Sequence, residues 1–176
     1  MSERLERVAK AKDKPAAHGP DVDIGKYVLD VESHKPISCI CELPEDYKKV
    51  LPNVGVNAGE EGRSGTFFQL DHSVILSKVK QDGLEIMSTT QALKTYDWLG
   101  GYWWKALPED MDKYTALAEL KQTHGYFLRS LPGSRAIFPL QACLFIGKEG
   151  IAQNVHNVII AEENSELHII TGCTVA

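Results

Sequence analysis

Two sets of residues in this chain have side chains that could do chemistry. Cys39 and Cys41 are separated by one residue, and His34 stands five positions before Cys39. On a strand, residues two apart share a face and lie about 6.7 Å apart. Two thiolates and an imidazole placed so could share a soft metal such as zinc or iron. A closed site wants a fourth ligand, and no second Cys or His pair stands at ligand spacing. Cysteine is also among the most buried residue types, so a partly buried strand over 38–42 is the simpler reading. Cys173 stands in Thr171-Gly172-Cys173-Thr174, where Gly172 would end an alternating strand over 167–171 and permit a bend that presents the thiol. His156 and His168 precede it on β runs and could approach it if successive turns stack. Taken alone, each reads as a satisfied structural histidine.

Other chemistry fails on spacing. The stretch GVNAGEEGRSG has Arg63 where a phosphate loop needs Lys and Asn57 where it needs its first Gly, so it reads as a flexible loop. There is no G-x-S-x-G elbow, no H-E-x-x-H helix and no Gly-rich dinucleotide fingerprint. Glu162 and Glu163 are adjacent, which on a strand sends them to opposite faces, and they read as a solvated turn. Tyr102-Trp103-Trp104 could stack a base or sugar, but packing against a helical layer suits the acidic balance better.

The elements that would position these residues follow from periodicity. SERLERVAKAKDK reads as a surface or frayed helix with a thin stripe of Leu5, Val8 and Ala9, capped by Ser2 and stopped by Pro15 and Gly19-Pro20. Residues 20–65 are irregular apart from the strand-like ISCIC patch. A β pattern starts at Thr66, and Gln81-Asp82-Gly83 predicts a hairpin between runs at 74–80 and 84–87. The period then changes, predicting helices over 89–107, with a break at Gly100-Gly101, and over 112–123, with Asp110 and Asp112 at the acidic start. After His124-Gly125 the chain returns to short β runs. In AIFPLQACLFI, Phe138, Leu140, Ala142, Leu144 and Ile146 alternate, which predicts one buried face. Such runs suit a sandwich, a barrel or a stacked solenoid.

The 176 residues fit one domain, and 43% hydrophobic with 24% charged residues describes a globular chain. A net charge of −5 argues against nucleic acid as the main partner. No apolar run is long enough to span a bilayer, and Glu3, Glu6 and Asp13 spoil a transit-peptide reading. Four sparse cysteines do not make a secreted framework, so a cytoplasmic protein with reduced thiols is expected.

Four patches, in order, resemble one family. These are Arg63-Ser64-Gly65 through Asp71; Tyr102-Trp103-Trp104-Lys105 with Asp112-Lys113-Tyr114-Thr115; Gly125-Tyr126-Phe127 through Pro139-Leu140-Gln141; and the tail VHNVIIAEENSELHIITGCT. Together they resemble the SUF-system iron–sulfur cluster assembly scaffolds, SufB and SufD, and most of all the N-terminal portion of archaeal SufB-like members. The Cys39/Cys41 motif belongs to no signature of that family. The resemblance implies an α+β chain with a helix and linker over 1–20, a mixed α/β region over 21–124, and the first turns of a right-handed parallel β-helix over 125–176. It implies Cys173 as acceptor of persulfide sulfur, a transient iron–sulfur cluster, and no turnover by the scaffold itself. The implied partners are a SufC-type ATPase, a second SufB/SufD subunit and a sulfur donor protein. Family scaffolds are longer, with cluster ligands and ATPase contacts further on, so a truncated member with an open solenoid edge, oligomeric or poorly soluble, is expected. Two other readings compete: a small metal module built on His34, Cys39 and Cys41, and a β-helix acyltransferase with His156 or His168 as base. The second lacks the six-residue apolar period after Gly147.

Overall fold

The computed structural model describes residues 3–176; Ser2, the expected cap of the first helix, lies outside them. Helix α1 (Glu3–Ala11) buries Val8 and Ala11 against Ala116 of a later helix, α4 (Lys113–Leu120). It is therefore a docked helix rather than a frayed one. Arg4 pairs with Glu109 at 3.1 Å and Glu119 at 2.7 Å, and Arg7 pairs with Asp110 at 3.3 Å. The segment after α1 follows α4: Asp112 accepts from the Ala17 N–H at 3.0 Å, and the Tyr114 hydroxyl donates to the Pro20 carbonyl at 2.7 Å.

The irregular stretch contains features that periodicity did not show. Residues 40–42 form a 3-10 turn instead of a strand, with Ile40 and Leu43 turned into the core. A short helix, α2 (Glu45–Val50), runs into a 3-10 turn over Leu51–Val54. The loop read as flexible is pinned by Glu60, only 5% exposed and held at φ 60°. Its carboxylate accepts from Thr66 Oγ1 at 2.7 Å and pairs with Lys78 at 3.6 Å. A buried carboxylate persists only when paired and hydrogen-bonded, as this one is.

Among the described residues seven strands make two sheets, an α+β arrangement. They are β1 (Gly65–Leu70), β2 (Ser73–Val79), β3 (Leu84–Ser88), β4 (Tyr126–Ser130), β5 (Leu140–Ile146), β6 (Val158–Ala161) and β7 (Ile169–Val175). One sheet has the order β2-β1-β5-β7 and the other β3-β4-β6. The hairpin is β1–β2, turning at Asp71 and His72. The expected hairpin at Gln81-Asp82-Gly83 is instead a corner: β2 and β3 pair in different sheets. Gly83, at φ 80°, makes that corner, and each strand pairs elsewhere, β2 with β1 and β3 with β4.

Strand β5 is parallel to both β1 and β7, and β4 is parallel to β6. The two sheets remain separate and open: parallel strand pairs are present, but among the described residues no sheet closes or curls as the expected β-helix would. Phe67, Leu84, Ile86, Leu128, Leu140, Ala142 and Leu144 form a core on one face of the first sheet. Phe68, Ile75, Cys143 and Phe145 form another with Ile40, Leu43 and Leu51. Strand β5 is thus buried on both faces, not one, while Phe138 ahead of it is half exposed. Each large side chain sealed there contributes roughly 1.5–3 kcal/mol of transfer free energy.

Against the second sheet lies α3 (Thr89–Thr95), capped by Ser88, whose hydroxyl accepts from Gln91 N at 3.1 Å. It is much shorter than the helix expected to reach 107. Tyr96 and Trp98 swing onto Phe127, with ring centroids 5.7 and 6.4 Å away, and the backbone continues as a 3-10 turn over Asp97–Gly101. Aromatic packing overrides helical period here. Helix α4 starts as expected, with Asp112 and Thr115 forming a reciprocal capping box.

Candidate functional site

The parallel stack brings Cys173 to the open edge of the first sheet. Strand β7 runs straight through Gly172 and Cys173, with Leu144 opposite Cys173 and Cys143 opposite Gly172. Gly172 therefore makes no bend. Its need is steric: a Cβ there would stand 2.7 Å from the Val54 carbonyl oxygen and 2.8 Å from Val54 Cβ. Glycine lets the turn before Gly55 press onto β7, burying residue 172 while Thr171 and Cys173 stay exposed on either side.

The two free thiols differ in chemistry. Cys143 is buried in the core, and burial, with Cys173 adding to it, pushes its pKa up to about 12. It is an inert packing group. Cys173 is reachable from solvent, yet partial desolvation of its sulfur pushes its pKa up as well. Surface access decides whether a reagent can reach it, and desolvation decides how much thiolate it offers. At neutral pH it is an accessible thiol rather than a standing thiolate. Tyr126 lies near: burial raises its hydroxyl pKa, Thr171 opposes that shift and Cys173 adds to it.

The histidines are placed elsewhere. His156 sits between Trp103 and Trp104, with ring centroids 4.0 Å from each. Both indole N–H groups donate to Glu119 Oε2, so helix α4 fixes the pair that grips the imidazole. Burial lowers the His156 pKa, the Glu119 charge opposing it, and Nδ1 is sealed without a hydrogen-bond partner. That nitrogen is not placed to serve as the base an acyltransferase needs, and the ring is committed to the indoles rather than to Cys173. The Trp pair packs within the fold, as expected. His168 is exposed, its carbonyl accepting from Leu140 N at 2.9 Å.

His34, Cys39 and Cys41 do not gather as ligands. Cys39 and Cys41 are joined in a disulfide, their Cα atoms 5.2 Å apart, so the reduced state expected of every thiol holds only for Cys143 and Cys173. His34 Nε2 lies 2.7 Å from Asp71 Oδ2. Among the described residues, no group of three or more His, Cys, Asp or Glu side chains converges to hold a metal.

Asp71 is the polar hub that sequence reading missed. It is buried, at φ 50°, at the β1–β2 turn. One carboxylate oxygen meets His34 and the other accepts from Gly147 N at 2.8 Å, while its carbonyl accepts from Gln153 Nε2 at 2.7 Å. The turn is thereby tied to the C-terminal end of β5. The only sequence signal was a polar pair between two β runs, which reads equally as an exposed turn. Arg129 on β4 is a second such hub, bonding Glu162 at 2.8 Å and Glu85 at 3.3 Å beneath Trp98, so Glu162 is not merely solvated.

No described helix is long and apolar enough to cross a membrane. No family model matches the chain. Curated relatives do. An iron–sulfur cluster assembly SufBD family protein of Methanothermobacter thermautotrophicus strain Winter is 46% identical over 178 residues, covering 98% of this chain and 43% of the relative. One from Archaeoglobus fulgidus is 43% identical over 127 residues, covering 72% of this chain and 34% of the relative. The iron–sulfur cluster assembly protein SufB of Bacillus subtilis is 29% identical over 139 residues, covering 76% and 30%. The chain therefore spans less than half the length of these relatives.

Proposed function

The chain is homologous to the SufB/SufD family proteins of iron–sulfur cluster assembly, and from that premise we propose that it forms part of an assembly scaffold receiving sulfur at Cys173. The scaffold works without turnover of its own, in the cytoplasm, with the iron–sulfur cluster as transient cargo. Its partners in this reading are a sulfur donor protein, a SufC-type ATPase and a second SufB/SufD-type subunit meeting the open strand edge.

The observation that carries the reading is register. Phe127 lies opposite Val158, Arg135 opposite Glu166 and Leu140 opposite Ile169, all in parallel. Each strand thus meets its successor about thirty residues on, a spacing that suits one coil of a solenoid. Residues 125–176 would then begin a β-helix, right-handed as parallel crossovers are. Residues 21–124 are its mixed α/β base, and 1–20 a helix and linker. Cys173 falls on the second coil, exposed on its outermost strand.

In the sulfur step, the Cys173 thiol first loses its proton to solvent. The thiolate attacks the terminal sulfur of the donor's persulfide, forming a new S–S bond as the donor's S–S bond breaks. The donor leaves as a thiolate, and there is no net oxidation. Because desolvation raises the Cys173 pKa, acceptance should increase as pH rises above neutrality. Incubation with a cysteine desulfurase and peptide mapping of persulfide test this. Label on Cys173, growing with pH and absent in Cys173→Ser, is expected. Label confined to Cys39, Cys41 or Cys143 would overturn it.

A further inference from the structure

We propose that Cys39 and Cys41 form a redox-active surface pair, opened by an external dithiol and closed again by a disulfide, and that the pair is not a fastening of the fold. This goes beyond the scaffold reading and does not depend on it.

Three observations carry the proposal. The first is loop size. Disulfides restrict the unfolded chain more as the closed loop lengthens, and this one spans a sequence separation of 2. The second is that the turn is held by other means. Ile40 is fully buried and Leu43 nearly so. Glu42 N donates to the Cys39 carbonyl at 3.2 Å, Leu43 N to the Ile40 carbonyl at 3.0 Å, and Ser38 N to Glu42 Oε1 at 3.0 Å. Lys48 donates to the Cys41 carbonyl at 3.2 Å. With the backbone so fixed, opening the bond leaves the two sulfurs close together and ready to reclose. The third is access: Cys41 is exposed and Cys39 half-buried. Exposed disulfides are the labile ones, and attack is directed at the Cys41 sulfur.

The chemistry balances with a dithiol as reductant. One of its thiolates attacks Cys41 Sγ, forming a mixed disulfide while the Cys39 sulfur leaves with the bonding pair and takes a proton from solvent. The second thiolate then displaces Cys41, which is protonated in turn. Two electrons and two protons pass to the protein, and the dithiol becomes a cyclic disulfide. The reverse path closes the pair.

The test is graded dithiothreitol on the folded 176-residue chain, quenching with iodoacetamide, and peptide mapping. Cys39 and Cys41 should gain label together at concentrations that leave Cys143 unlabelled, and oxidised dithiothreitol should close them. Cys173, labelled throughout, reports that the reagent is active. The Cys39→Ser, Cys41→Ser double variant should keep its thermal midpoint within about 4 °C of the parent. Four results would overturn the proposal. The pair could open only together with Cys143, or the two thiols could stay free when offered oxidised dithiothreitol. Zinc could be retained in one-to-one amount by the parent and lost in the double variant, or the midpoint could fall further than stated.

Discussion

At the α1–α4 corner, Val8, Ala11 and Ala116 make up the buried apolar cluster, and the polar ties include Arg4 and Arg7 to acidic partners and the buried Asp112 cap. Strand β5 is held differently, sealed between two cores with Phe145 stacked 5.8 Å from Phe68 and 4.7 Å from Tyr47. Apolar burial carries no proton and little salt dependence, whereas caps and ion pairs depend on charge. The corner should therefore respond to pH and ionic strength, and the strand core to volume. The proposed acceptor, Cys173, stands on β7, which leans on the rigid strand, while the corner supplies the Glu119 that orders the Trp pair around His156.

The largest expected effect removes volume from the strand side. Phe145→Ala should cost about 3–5 kcal/mol, the usual range for emptying a sealed aromatic site, read by urea denaturation. A loss under about 1 kcal/mol would mean that β5 can collapse around the gap, which would erase the contrast. Next is Gly172→Ala. Its new methyl group meets the Val54 backbone, which cannot swing aside as a side-chain tip could, so about 1–3 kcal/mol is expected. No loss would show that the turn is free to lift from β7. The smallest is at the corner. Asp112→Ala should cost about 0.5–2 kcal/mol at neutral pH. Burial alone would raise the Asp112 pKa, but the N–H groups of Thr115, Ala17 and Tyr114 and the Thr115 hydroxyl hold it below the ordinary value. The contribution of a depressed carboxylate is complete above the unfolded-state pKa and disappears as pH falls through the folded one. The gap between parent and variant should therefore close below about pH 4. A gap that persists in acid would assign the cap's effect to something other than its charge.

Local chemistry was readable wherever neighbours in sequence are also neighbours in space. The β runs, the Asp112 start of α4 and the order of the family-like patches all appear in the chain itself. So does the apolar alternation of β5, since a strand's period shows which residues share a face. It does not show whether the opposite face is covered too. That depended on Ile40, Leu43 and Leu51, a hundred residues or so away in the chain and without periodic pattern. Sheet choice at Gly83 was equally invisible, because a turn signal encodes a reversal and not which strand becomes the partner. Cys39 and Cys41 were visible as a pair, but ligands and a disulfide share one spacing, and the backbone turn selected between them. The sequence by itself determined most of the β runs, the acidic start of α4 and the likeness to SufB/SufD proteins. Tertiary structure decided which thiol is inert and which reachable, why Gly172 must be glycine, and that Asp71 is a buried hub. Each of those depends on atoms brought together from distant parts of the chain, whose packing no local pattern records.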